Sequence, residues 1–332
     1  MGLRKSLLPL ILLLAMIVVP VSAHSPIIAG GNDSPDRAVM IDDPAKSWAV
    51  FSYLPGGAAA HFYKFEINEG GRIYFTLQIS PESKESGFSP LIAIIGPGVP
   101  DRMETLPFEV PEGSGVLVIE GTPADSAYYE GFTPTVFYKV VSYSSEAPAT
   151  GTYYLAVFDE IPGSYSLAIG YKEEFTPYEW VTIPINQILI YLWSGQSPLA
   201  VLAPMAIVVA IGLLFILWKW RPTGLGRLPK ALTAVASLLY IGTGATILNQ
   251  VAYASRWAEL GPEVGITLVF AGLPVILGIA ALRKAQNWNP STRTRLSIFA
   301  LGVLGVLLWA GVLVGPSMMV VASILPRRSV NH

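Results

Sequence analysis

His24 has the most specific chemistry open to it of any residue in this chain. It follows a stretch with the layout of a secretion signal, and cleavage after Ala23 would make it the first residue of the mature protein. A free α-amino group and an imidazole Nδ1 on one residue form a chelate suited to Cu(II). A second imidazole is then needed, and His61 is the only other histidine before the C-terminal residue. Asn32, Ser34 and Asp36 make a second candidate, with oxygens at alternate positions and Asp33, Asp42 and Asp43 nearby, a composition that suits calcium. Each candidate has a plainer reading. A signal peptide must end before some residue, and the oxygen-rich stretch is equally a solvated turn. Asn32-Asp-Ser34 is also a glycosylation sequon, with Pro35 directly after it.

Other chemistries are excluded or unsupported. The chain has no cysteine, so thiolate metal sites, redox pairs and disulfides are absent. Neither Gly-x-Ser-x-Gly nor His-Glu-x-x-His occurs, and a serine nucleophile would find almost no histidine to serve as its base. The net charge of −2 hides a division. From Asp33 to Glu179 there are 21 acidic and 8 basic residues, and from Lys219 to Arg328 there are 11 basic and 2 acidic. An acidic first half lacks the basic footprint that nucleic acid requires. Mean hydropathy is +0.52 with 13% charged residues, which indicates a membrane protein.

The elements that would position these residues are strands. Residues 61–67 alternate, Glu69-Gly-Gly turns, and residues 72–80 alternate again. Further short runs rich in β-branched and aromatic residues occupy 90–95, 116–119, 135–141, 152–158 and 165–169, separated by Gly, Pro and Ser. This punctuation predicts an all-β sandwich over 24–178. Twelve of the fifteen tyrosines fall in that region, as expected for strand and core packing.

Phe62-Tyr-Lys-Phe-Glu-Ile-Asn-Glu-Gly-Gly-Arg-Ile, Gly151-Thr-Tyr-Tyr-Leu-Ala-Val and Gly163-Ser-Tyr-Ser-Leu-Ala-Ile resemble the opening and closing hairpins of pre-peptidase C-terminal (PPC-type) β-sandwich domains. Asn32-Asp-Ser34, followed by Ala38 and Ile41, resembles the start of the same domains. The resemblance runs from Asn32 to Tyr171, and residues 103–146 depart from it, which predicts an inserted loop or extra strands there. It implies a fold and no catalytic residues. Joined to C-terminal helices, the whole is similar to membrane proteins of methanogenic archaea. Secreted copper carriers and polysaccharide monooxygenases are similar at His24 alone.

Four apolar runs, about 198–218, 231–253, 264–282 and 296–325, predict a bundle of four transmembrane helices. Residues 179–197 before them read as an interfacial linker, or alternatively as a last strand or helix of the β-domain. Lys219, Arg221, Arg227 and Lys230 flank one loop, and Arg283, Lys284, Arg293 and Arg295 another. The positive-inside rule puts both loops in the cytoplasm, and the β-domain and the tail 326–332 outside. The spans carry no ionisable residue at their centres, which argues against an ion pump. Asn249 and Gln250 read as interhelical hydrogen-bonding groups, and Gly302, Gly305, Gly311 and Gly315 as a close-packing face. The leading expectation is a multi-pass cell-membrane protein whose outer domain binds a ligand, an envelope polymer or another membrane protein, without catalysis. The alternatives are copper or calcium handling at the outer face, and a copper-dependent oxidative enzyme.

Overall fold

The computed structural model describes residues 25–57, 59–100, 106–219, 228–289 and 291–325; the signal segment, His24, Met103, Arg327 and Arg328 lie outside them. The strands are β1 (Ser25–Ile28), β2 (Val39–Met40), β3 (Trp48–Leu54), β4 (Ala60–Ile67), β5 (Arg72–Ile79), β6 (Leu91–Gly96), β7 (Gly115–Ile119), β8 (Tyr128–Glu130), β9 (Thr135–Glu146), β10 (Gly151–Phe158) and β11 (Gly163–Ile169). They form two sheets, in the orders β1-β3-β11-β5-β9-β8 and β2-β4-β10-β6-β7. Alternation decides which side chains meet between them. Tyr63 and Phe65 of β4 join Val50, Phe75, Leu77, Tyr153 and Leu167 in one buried core drawn from both sheets. Phe62, one residue out of phase, points the other way and meets Phe108 edge-on at 5.1 Å. The stretch that departs from the resemblance thus supplies cover for one outer face, with Phe108 also against Phe158. It also adds β7 at one sheet edge and β8–β9 at the other.

A short helix, α1 (Pro81–Glu85), follows β5. The segment expected as a linker is mostly helix. α2 (Pro177–Trp193) starts with Pro177 after a capping box in which Thr176 and Glu179 exchange hydrogen bonds. It lies on the outer face of the first sheet, where Ile190 and Trp193 pack on Ala49, Phe51 and Phe137. Trp193 Nε1 donates to Ser52 O at 2.9 Å, and Lys46 bridges Glu179 at 2.6 Å.

α3 (Pro198–Lys219), α4 (Leu228–Ala254) and α5 (Val264–Gln286) are long and apolar enough to cross a membrane. At 1.5 Å per residue each exceeds the ~30 Å of hydrocarbon. They run alternately up and down, with α4 packed between the other two. Gly244 leaves room for Ala271 O and Val275, and Gly278 for Ser237 O.

The fourth run differs from expectation. In place of one helix over 296–325 the chain makes α6 (Thr292–Leu307) and α7 (Val314–Ile324), each too short to span alone. They fold back on one another. Arg295 Nε donates to Ser323 O at 2.6 Å, and its Nη2 donates to Leu325 O. The chain at Leu325 therefore lies beside Arg295, where a single spanning helix would have put it at the opposite end. Trp309, Val312 and Leu313 take left-handed φ values of 52°, 48° and 63° to make the reversal, with Gly311 at 71°. Such conformations cost about 1–3 kcal/mol each in non-glycine residues and persist only where the surroundings enforce them. The glycine face works as expected: Gly305, Gly311 and Gly315 make space for the Tyr240 ring, whose hydroxyl donates to Leu301 O.

Candidate functional site at the sheet–helix junction

Among the described residues, those singled out in the sequence do not converge on one site. His61 is buried between the sheets, where its Nδ1 lies 3.1 Å from Ser52 Oγ and 2.9 Å from Tyr165 Oη. Tyr165 Oη is in turn 2.6 Å from Tyr63 Oη. Two hydroxyls share the one nitrogen, so His61 anchors a buried polar network. Burial lowers its pKa below the usual 6.5, with Asp33 opposing in part. His24 lies outside the described residues, but its neighbour Ser25 pairs with Trp48. That is four residues along β3 from Ser52, about 13 Å at ~3.3 Å per residue. Asn32 is fully buried and its Nδ2 donates to Phe62 O, whereas Asp36 faces solvent and Asp33 pairs with Arg37. Asn32, Ser34 and Asp36 therefore do not share one side of the chain, and a buried Asn32 is closed to glycosylation. Among the described residues no group of three or more His, Asp or Glu side chains is placed to hold a metal.

A concave site forms elsewhere, between the outer face of the first sheet and α2. It is a cavity of about 60 Å³. Its apolar floor is Ala49, Phe51, Phe137 and Ala168, and Gln78, Ser166, Asn186 and Gln187 bring polar groups to it. Tyr128 and Glu130 enter from β8. Burial raises the pKa of Glu130 above its usual 4.5. The Phe132 N–H, 3.0 Å from Oε1, counteracts this in part, and Glu173 and Glu263 reinforce it. Burial and the nearby Glu130 also raise Tyr128. A few convergent polar groups on an apolar floor, with a perturbed carboxyl among them, are what ligand sites are made of.

The same strand serves the helices through its other face. Tyr128 and Glu130 face the cavity, while Tyr129 between them reaches α5, with its Oη 2.7 Å from Thr267 Oγ1. The Thr267 hydroxyl donates to Gly131 O. A Cβ on Gly131 would stand 2.5 Å from Glu263 O, so only glycine allows this approach. Phe132 follows, with its ring edge-on to Phe270 at 5.5 Å and to Trp309 at 5.1 Å. Trp309 Nε1 donates to Trp180 O at 2.9 Å, which ties the α6–α7 reversal to α2. Gln187 Nε2 donates to Phe132 O at 3.3 Å, and Gln196 and Gln250 exchange hydrogen bonds at 2.8 and 3.0 Å. The sequence predicts a bond between helices for Gln250, and its partner Gln196 lies instead in the turn between α2 and α3. A second cavity of about 60 Å³ lies on the helical side, and Phe132 lines both.

Residues 128–134 went unremarked as a site in the sequence. Their available signal was period-2 alternation, Tyr128 and Glu130 against Tyr129 and Gly131, inside the stretch that departs from the simpler domain.

Glu130 gives a pH-dependent expectation. Its folded pKa lies above the unfolded value of 4.5, so its ionisation destabilises the fold. Stability from this group is full below pH 4.5 and declines as pH rises through the raised folded pKa. Glu130→Gln keeps the acceptor for the Phe132 N–H and removes the charge. It should raise the melting temperature near neutral pH and leave it unchanged below pH 4.5, as followed by thermal unfolding of the full chain in detergent.

Neither protein-family models nor curated proteins give a match to this chain, so the likeness to pre-peptidase C-terminal domains rests on its sequence motifs alone.

Proposed function

We propose that this protein is a non-enzymatic, membrane-anchored binding protein, whose outward-facing β-sandwich is locked to its helices as one unit. The observation that carries this reading is the double-sided β8 strand. One face lines a cavity with a partly buried carboxyl, and the other is hydrogen-bonded and packed into the helices. A tether would need no such interlock. The ligand site is the cavity under α2, and what occupies it is felt by the helices through Tyr129, Gly131 and Phe132. A panel of small anionic, neutral and cationic molecules, tested by thermal shift on the full chain in detergent, examines this. At least one class should raise the melting temperature, and Ala168→Phe, which fills the floor, should abolish the rise. No response from any class would overturn the binding reading.

The orientation in this reading follows from charge. Lys219, Lys230, Arg283, Lys284, Arg293 and Arg295 sit at the helix ends away from β8, and the α6–α7 hairpin brings Leu325 to that end. Under the positive-inside rule that end is cytoplasmic. The tail is then cytoplasmic too, which reverses the sequence-based expectation for it. The chain lacks cysteine, so single introduced cysteines report cleanly. In intact cells an impermeant thiol reagent should label Tyr53→Cys, an exposed β3 position, and spare Ser329→Cys. Labelling of both would return the tail to the outside.

A further inference from the structure

The cavity under α2 carries a more specific reading, which rests on the binding function above. Four aromatic side chains, Phe51, Tyr128, Phe132 and Phe137, line it, and Glu130 is the one carboxylate among its lining residues. Tyr128 and Phe137 have ring centroids 5.7 Å apart, and Phe51 and Phe137 6.4 Å, so the rings form a continuous wall. No Lys, Arg or His is among the residues that line the cavity; Lys139 Nζ lies 5.2 Å from the Tyr128 ring centroid. Among the described residues Glu130 has one hydrogen bond, from the Phe132 N–H to Oε1. The charged groups facing Glu130 from neighbouring elements are Glu173, ahead of α2, and Glu263, ahead of α5, both negative.

We propose that this cavity takes a small organic ammonium group, seated between the aromatic wall and the Glu130 carboxylate. Aromatic faces attract cations through their quadrupoles, and the attraction grows when water is excluded. The ammonium hydrogens have acceptors in the carboxylate and in the side-chain oxygens of Gln78, Ser166, Asn186 and Gln187. An anion would meet the Glu130 carboxylate, with no Lys, Arg or His among the residues that line the cavity. A metal ion is disfavoured because, among the described residues, no group of three or more His, Asp or Glu side chains is placed to hold one. Size excludes a sugar: one water needs roughly 10–15 Å³ on this measure, so about 60 Å³ admits only a few heavy atoms. The acidic balance of residues 33–179 draws cations toward the site.

The same ammonium could come from a free amine or from the headgroup of an aminophospholipid, since the site stands beside the helices. The full chain is placed in nanodiscs of phosphatidylglycerol alone, and in others that include phosphatidylethanolamine. Melting temperature is followed against methylammonium chloride, with sodium chloride at equal ionic strength as the reference. In the phosphatidylglycerol discs methylammonium should stabilise the protein saturably and sodium should not. Glu130→Gln should weaken the half-saturation about tenfold or more, as the charge partner is lost. This variant keeps the Phe132 hydrogen bond and removes a partly buried charge, so it is expected to fold. The amine effect should also fade as pH falls, because a proton competes for the same carboxylate. If the source is lipid, phosphatidylethanolamine should stabilise the protein unaided and blunt the methylammonium response; if the source is a free amine, it should change neither. Equal responses to sodium and methylammonium, or equal responses of wild type and Glu130→Gln, would overturn the proposal. A shift by anionic or neutral molecules with none by amines would overturn it too, while leaving the binding function intact.

Discussion

Trp309→Ala should separate the β-region from the helices and should be among the most damaging single substitutions in the protein. The indole is buried, stacked on Phe270 at 5.1 Å, tilted against Trp180 at 4.7 Å and edge-on to Phe132. Removing a large buried aromatic costs about 3–5 kcal/mol where the site cannot collapse. Collapse is limited here because the surrounding rings come from three separate parts of the chain. Loss of the Nε1 hydrogen bond to Trp180 O adds to the effect. The same substitution removes what holds residue 309 at its φ of 52°, so the reversal between α6 and α7 should loosen as well. Hydrogen exchange read at residues 128–134 and 308–313 should rise in both stretches together. A rise confined to 308–313 would mean that the β-region does not depend on this contact.

Tyr165→Phe should have the next largest effect, out of proportion to the one atom removed. Its hydroxyl joins His61 Nδ1 on one side and Tyr63 Oη on the other, with all three side chains buried. Without it Tyr63 loses its shortest contact and is left with Asn32 and Ser52, and His61 keeps only Ser52. A buried polar group left unsatisfied costs about 1–3 kcal/mol, and this substitution takes one partner from each of two buried groups. Ser52→Ala should cost less, since it leaves the His61–Tyr165 and Tyr63–Tyr165 contacts in place. The network also makes the fold sensitive to acid. His61 has a folded pKa below 6.5, so stability from keeping it neutral is present above pH 6.5 and is lost as pH falls through its folded value. Thermal melts at neutral and mildly acidic pH should give the order wild type, Ser52→Ala, Tyr165→Phe. Equal melting of wild type and Tyr165→Phe would reduce the network to packing.

The strands were legible because their signal is local. Residues 61–67 and 72–79 alternate across a glycine turn, and β10 and β11 carry tyrosine and leucine at every second position facing the core. Three of the helices were equally plain from length and apolarity. The break in the fourth was hidden because its residues argue for continuity. Val312 and Leu313 are among the last residue types expected in a left-handed conformation, and Gly311 read as part of a packing face. What bends the chain is tertiary: Tyr240 fills the glycine face, and the Thr243 hydroxyl accepts the Gly311 N–H at 2.7 Å. The candidate site was hidden for a similar reason. Glu130 looks like an ordinary strand carboxylate until α2, 50 residues downstream, closes over it. His61 and Asn32 misled in the opposite direction, because metal-ligating residue types are also the ones that satisfy a buried polar network.

The claim that the β-region and the helices form one interlocked unit is tested most directly at Phe132, which with Gln187 lines both cavities. A photo-reactive benzoyl-phenylalanine placed there can be irradiated in the full chain embedded in membranes, and the adduct mapped by mass spectrometry. The account predicts adducts within α5 around Phe270 and within the reversal around Trp309, whose rings lie 5.5 and 5.1 Å from that of Phe132. Adducts to lipid or to residues within the β-region alone, with neither of those helical peptides captured, would contradict it.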